Sequence, residues 1–146
     1  MSTLRLPYPR LSAAIYQGFG SAHAALAQSP LGPQLLELVY LRVSQINGCA
    51  YCLGLHTESL RQQGESQARL DVLSAWRHSS AFSEREQAAL IWAESLTELG
   101  ALGGGSDADY QRLQAHFSDV EISDLTLAVA LMNAYNRMAI GMRQQG

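Results

Sequence analysis

The chain has 146 residues, of which 47% are hydrophobic and 16% charged, with a formal net charge of −3. That length and apolar content suit one domain with one sizeable core, spanning residues 1–146. The absence of a basic block or stripe argues against a nucleic-acid partner, and no window approaches the long uncharged apolar run of a membrane span.

The elements read as helix after helix, without sustained period-two alternation. Ser12–Ala27 is Ala-rich and predicts a helix interrupted at Gly18 and Gly20. Ser29-Pro30 and Gly32-Pro33 mark a boundary. Pro33 then suits the first turn of a helix through Leu35, Leu36, Val39, Val43 and Ile46. Asn47-Gly48 ends it. A second helix is expected from about Cys49 to Gln63, with Gly64 as its stop. Ser66 can cap the next, which carries Leu70, Leu73 and Trp76 on one face. Ser83 and Glu86 form a capping box that opens a helix through Ala89, Leu90, Ala93 and Leu96, stopping at Gly100. Gly103-Gly104-Gly105 is a connector, and Ser106 can cap a short helix through Tyr110, Leu113 and Phe117. The last helix spans about Glu121 to Arg143 and is apolar at Ile122, Leu125, Leu127, Val129, Leu131, Met132 and Ile140. The expected fold is all-α, with six or seven helices.

Met1–Arg10 carries charges and two prolines instead of an apolar signal core, so the expected compartment is the cytoplasm. There, closely spaced cysteines are more often catalytic, redox-active or metal-binding than structural. The chain has two, Cys49 and Cys52, in a C-x-x-C pair with His56 four residues beyond. A zinc site would draw on a second C-x-x-C or a His pair, which the sequence lacks.

If Asn47-Gly48 is a helix hairpin, a rise of ~1.5 Å per residue puts Glu37 roughly 15 Å and His56 roughly 12 Å from the turn. At those similar heights a Glu37–His56 hydrogen bond is geometrically reasonable, and it would hold one imidazole tautomer. Cys52 and His56 are an i, i+4 pair on one helix face. His56 can therefore exchange a proton with Cys52 while Glu37 supports the imidazolium, the arrangement of an activated thiol. Cys49 and Cys52 are close enough for a disulfide. The positive end of the helix favours thiolate, most of all at Cys49. Only Cys52 has a base one turn away, and it is the preferred nucleophile.

These residues resemble the AhpD-like alkylhydroperoxidases of the carboxymuconolactone decarboxylase superfamily. The shared pattern is E-x11-C-x2-C-x3-H, met here by Glu37, Cys49, Cys52 and His56. The runs LRVSQINGCAYCLGLHT, FSEREQAALIWAESLT and FSDVEISDLTLAVALMNAYNRMAI extend the likeness from about Leu35 to Ile140. The resemblance implies an all-α fold and a peroxidase or disulfide-reductase activity on organic hydroperoxides. Cys52 would attack the peroxide and become a sulfenic acid, Cys49 would condense with it, and His56 and Glu37 would relay protons. It also implies no cofactor and no metal, an external dithiol or reductase partner, and a homo-oligomer, a trimer or hexamer. One position departs from the pattern: Tyr51 stands where better-studied members carry a histidine.

Two other readings are a decarboxylase of the wider superfamily, whose chemistry needs no dithiol, and a non-enzymatic redox sensor or binding module. Elsewhere, His23, His78 and His116 are expected at the surface or at caps. Asn133, Asn136 and Arg137 read as core-edge polar groups, a pocket lining or a subunit contact, and Trp76 and Trp92 as core aromatics. The triple glycine lacks the Lys-Ser/Thr of a phosphate loop.

Overall fold

A computed structural model describes residues 4–145; Met1–Thr3, at the head of the Met1–Arg10 stretch, and Gly146 lie outside the described residues. The described residues form nine α-helices and one 3₁₀ helix, without a strand. The helices are α1 (Tyr8–Leu11), α2 (Ala13–Leu26), α3 (Pro33–Asn47), α4 (Ala50–Gln62), α5 (Gln67–Asp71), α6 (Glu84–Thr97), α7 (Leu99–Leu102), α8 (Asp107–Gln114) and α9 (Asp119–Gly141). The 3₁₀ helix, Leu73–His78, follows α5. Six of the α-helices have eight or more residues, and the short turns α1, α5 and α7 are additional.

The boundaries follow local chemistry. Pro33 opens α3, where its missing N–H costs nothing. Gly48 closes it in the left-handed conformation at φ 69°, its N–H donating to carbonyls of the last turn. Ser83 and Ser118 each complete a capping box, with Glu86 and Glu121. The second of these starts α9 two residues before the expected Glu121.

Three expectations need correction. The helix at Ala13–Leu26 is unbroken and carries Gly18 and Gly20 within it. A helical glycine costs about 1 kcal/mol, and packing of α2 on α9 outweighs that. The element after Ser66 is split: α5 stops at Asp71, and the backbone kinks at Ala75 within the 3₁₀ helix. Leu70, Leu73 and Trp76 are nonetheless all buried. Finally, α6 ends at Thr97 rather than Gly100, and Gly100 lies inside α7, which stops at Gly103 with φ 74°.

Helix α3 is the central element, packed against α4, α6 and α9. It is apolar nearly all round, as a surrounded helix must be. Leu38, Val39 and Val43 have no exposed surface. Val39 and Val43 join Leu125 and Val129 of α9 in one buried cluster, while Leu38 and Leu41 join Leu60, Leu73, Trp76 and Leu90 in another. Helix α3 is thus held by one cluster shared with α9 and by another shared with α4, the 3₁₀ helix and α6.

Candidate active site

Cys49 takes the N-cap position of α4, with extended backbone at φ −86° and ψ 95°. Its sulfur occupies the role usually taken by a Ser or Asp oxygen, accepting the Cys52 N–H at 3.3 Å. Capping therefore places Cys52 in the first helical turn, facing its partner. The two are joined in a disulfide with a Cα–Cα separation of 5.3 Å, inside the ordinary range for such a bond. Cys49 is 1% exposed and Cys52 4%. Both pack against Ala139 of α9 and the ring of Tyr51.

One turn past Cys52, His56 Nδ1 lies 2.8 Å from Glu37 Oε2 of α3. The hairpin thus brings the carboxylate and the imidazole together across the interhelical seam. Both side chains are largely buried, at 9% and 17% exposed. An ionised carboxylate only accepts, so Nδ1–H donates and Nε2 is left as the exchangeable nitrogen. Tyr40, one turn past Glu37, packs its ring tilted against that of His56 at 5.4 Å between centroids. Burial, and then the Glu37 charge, push the Tyr40 hydroxyl well above its usual range, so it stays a neutral phenol.

The turn before Cys49 is pinned by amides. Asn47 Nδ2 donates to Asn133 Oδ1 at 3.0 Å and Asn136 Oδ1 at 2.9 Å. Asn136 Nδ2 donates in turn to Ser44 Oγ at 3.0 Å. Asn133 Nδ2 reaches the Val129 carbonyl and Thr97 Oγ1. The Cys49 N–H closes onto the Ser44 carbonyl at 3.1 Å. Asn133 and Asn136 are therefore buried, at 7% and 0% exposed, with both the oxygen and the nitrogen of each amide hydrogen-bonded, rather than sitting at the core edge. A buried amide repays its desolvation only when its hydrogen bonds are made.

A cleft of about 310 Å³ opens at Cys52. Glu37, Tyr51 and His56 line it with Cys52, whereas Cys49 does not. His23 lines it as well. Its ring lies 5.9 Å from Tyr40 and 6.2 Å from Tyr135, so it belongs to the site region instead of an unrelated surface. No spacing signal pointed there, because α2 reaches the cleft only through tertiary packing. His78 is exposed and His116 half-buried, both away from the cleft. Trp76 and Trp92 are buried core rings whose indole N–H groups donate to Glu94 and Thr126. Among the described residues, no group of three or more His, Cys, Asp or Glu side chains is arranged to hold a metal ion. No described helix is long and apolar enough to cross a membrane.

The model of the carboxymuconolactone decarboxylase family matches residues 11–95, more than half of the chain and the whole of this motif. The chain belongs to that family. Among curated proteins it is 36% identical to the uncharacterized protein YdfG of Bacillus subtilis over 115 residues, 79% of this chain and 78% of YdfG. It is 30% identical to the uncharacterized protein YnjA of Escherichia coli over 115 residues, spanning 79% of this chain and 62% of YnjA. Among solved structures, a protein of unknown function from Agrobacterium tumefaciens with a candidate assignment to antioxidant defence as AhpD superposes with a TM-score of 0.92. The two are 34% identical, with 97% of each chain covered. An uncharacterized peroxidase-related protein from Ralstonia eutropha JMP134, described as an alkylhydroperoxidase AhpD core, gives a TM-score of 0.77 at 25% identity, covering 90% of this chain and 70% of that one. This family member is AhpD-like in fold, with its C-x-x-C at a helix start.

Proposed function

We propose that this carboxymuconolactone decarboxylase family member is a thiol-dependent peroxidase or disulfide reductase that reduces organic hydroperoxides through Cys52 and Cys49. The observation that carries the reading is an asymmetry between the two cysteines. Cys52 lines the cleft with the hydrogen-bonded Glu37–His56 pair, while Cys49 lies behind it within disulfide reach.

In the dithiol form, His56 Nε2 takes the Cys52 proton, and Glu37 holds the resulting imidazolium. The Cys52 thiolate attacks the terminal oxygen of ROOH and the O–O bond breaks. The leaving alkoxide takes the proton back from His56 and departs as ROH, leaving Cys52 as a sulfenic acid. The Cys49 thiol then attacks the sulfenic sulfur, expels water and forms the disulfide. Two electrons and two protons from an external dithiol or reductase restore the pair. Such a cycle suits a reducing compartment such as the cytoplasm. Self-association belongs to the same reading and is supported by apolar side chains left exposed near one another on α2 and α9, Ile15 at 70% and Leu127 at 60%.

The test is a peroxidase assay with cumene or tert-butyl hydroperoxide and dihydrolipoamide or another dithiol, beside the Cys49→Ser and Cys52→Ser variants. Catalytic turnover that needs both cysteines is expected. A single round of oxidation without a cycle would favour a redox sensor, and no reaction with any dithiol would count against the enzyme.

A further inference from the structure

The cleft at Cys52 is walled by phenol rings. Tyr8 of α1, Tyr16 of α2, Tyr51 of α4 and Tyr135 of α9 all line it, together with Leu55 and Met132. Tyr8 and Tyr16 meet edge to face at 5.7 Å between centroids, and Tyr16 and Tyr135 at 6.2 Å. Contacts of this kind fix the orientation of each ring, so the wall is preorganised. The ends of the chain hold it in place. Tyr8 Oη donates to Gln144 Oε1 at 2.5 Å, the Arg5 N–H donates to the Met142 carbonyl at 2.9 Å, and the Arg5 guanidinium reaches the Gly141 carbonyl. Burial, followed by the neighbouring phenols Tyr16, Tyr51 and Tyr135, pushes the Tyr8 hydroxyl above its usual value. Tyr135 is pushed up likewise, by burial and then by Tyr16. Both stay neutral.

Hydrogen peroxide, with two heavy atoms, would fill little of the cavity of about 310 Å³ and leave most of the wall unused. A long flexible chain would give up many torsions to lie against it. A single rigid ring gives up few torsions, gains ring–ring contacts with the tyrosines and contacts the Met132 thioether. The cavity, about 310 Å³, is at the small end for organic ligands and suits one ring with a short branch.

We propose that the site takes compact arylalkyl hydroperoxides, with the –OOH on the carbon attached to a single ring, and that Tyr16 and Tyr135 hold that ring while the terminal oxygen meets Cys52. The proposal rests on the reading of Cys52 as the peroxide-reducing thiol and names its substrate class.

The test compares kcat/KM for cumene hydroperoxide, tert-butyl hydroperoxide and hydrogen peroxide, all with one dithiol. Wild type, Tyr16→Leu, Tyr135→Leu and the ring-conserving Tyr135→Phe are compared. Binding of 2-phenyl-2-propanol and of tert-butanol to the disulfide form is measured alongside by NMR titration. Wild type is expected to favour cumene over tert-butyl hydroperoxide by about tenfold, the scale of one or two aromatic contacts, and to bind the aryl alcohol more tightly. Each Leu variant is expected to collapse both ratios, and Tyr135→Phe to keep them. Equal rates for the two organic peroxides in wild type, or a preference that survives both Leu variants, overturns the aryl assignment and leaves the peroxidase reading standing. No turnover of any of the three peroxides overturns the peroxidase reading and this proposal with it, even where the aryl alcohol binds.

Discussion

His56 Nδ1 and Glu37 Oε2 are 2.8 Å apart although their residues are separated by 19 positions and sit on different helices. The α3–α4 hairpin brings them level. If Glu37 supports the imidazolium formed when Cys52 gives up its proton, its charge matters more than its shape. His56→Ala is expected to slow peroxide-driven oxidation of Cys52 by about a hundredfold, the lower end of general acid–base assistance, and Glu37→Gln by less, about tenfold, because it acts through the imidazole. Stopped-flow oxidation of the dithiol form by tert-butyl hydroperoxide reads both. Unchanged rates in His56→Ala would remove the proton relay from the account.

The amide cluster around Asn47 makes a separate, structural prediction. Asn136 has no exposed surface and satisfies Asn47 and Ser44 at once. Asn136→Ala removes the amide donor to the buried Ser44 hydroxyl, at about 1–3 kcal/mol for an unsatisfied buried group, while Asn47 keeps its bond to Asn133. A urea unfolding series should show that loss. It should also show that Asn47→Ala and Asn136→Ala combine to less than the sum of their separate effects, because they share bonds.

Gly48 is tested by backbone conformation alone. Its φ of 69° is left-handed, and nothing lies within 4 Å of a Cβ built there. Gly48→Ala should cost about 1–2 kcal/mol from strain without a clash. Gly48→Asn should cost less, since Asn tolerates this region better. Thermal melts of the two variants decide it, and a clash-sized loss for both would contradict this origin.

How much of this was legible in the sequence follows from distance along the chain. The motif and the Glu37–His56 pairing depend only on helical rise and one tight turn, and both are written in local residues: Pro33, Asn47-Gly48 and the capping Cys49. The tyrosine wall was not legible. Tyr8, Tyr16 and Tyr135 converge because α1 and α2 fold back onto α9, and no spacing encodes that approach. The same blindness applied to His23, and to Gly18 and Gly20, where tertiary packing overrides a weak local preference. Asn136 carried a polar signal inside an apolar helix, but its partners Asn47 and Ser44 lie about ninety positions away. The last helix read apolar at Leu127 and Ile140, yet the fold leaves both exposed.

Glu94 governs an acid-sensitive part of the stability. It is 3% exposed and accepts from Trp76 Nε1 at 2.7 Å, Arg77 at 2.5 Å and Arg42 at 3.0 Å. Burial alone would push its carboxyl up. The hydrogen bonds from Trp76, Arg77 and Arg42 outweigh burial and hold it below its ordinary value of 4.5. Glu65 and Glu86 are lowered in the same way, by bonds to Arg69 that outweigh burial. A depressed folded-state value means that the unfolded chain takes up the proton first. The stabilisation is therefore fully present above the ordinary value and is lost as pH falls through the lower folded value. Glu94→Gln should be destabilised by about 3 kcal/mol near neutrality and show a flatter loss of stability below pH 4.5 than wild type. Denaturant midpoints across the acid range give the slope.

Cys52 is the thiol proposed to meet the peroxide. The most direct measurement is sulfenic-acid trapping with dimedone in Cys49→Ser and Cys52→Ser, each given one equivalent of cumene hydroperoxide and read by intact-mass spectrometry. The adduct should appear on Cys52 in the Cys49→Ser protein and be absent from the Cys52→Ser protein. An adduct formed only on Cys49, in the Cys52→Ser protein, would contradict the assignment.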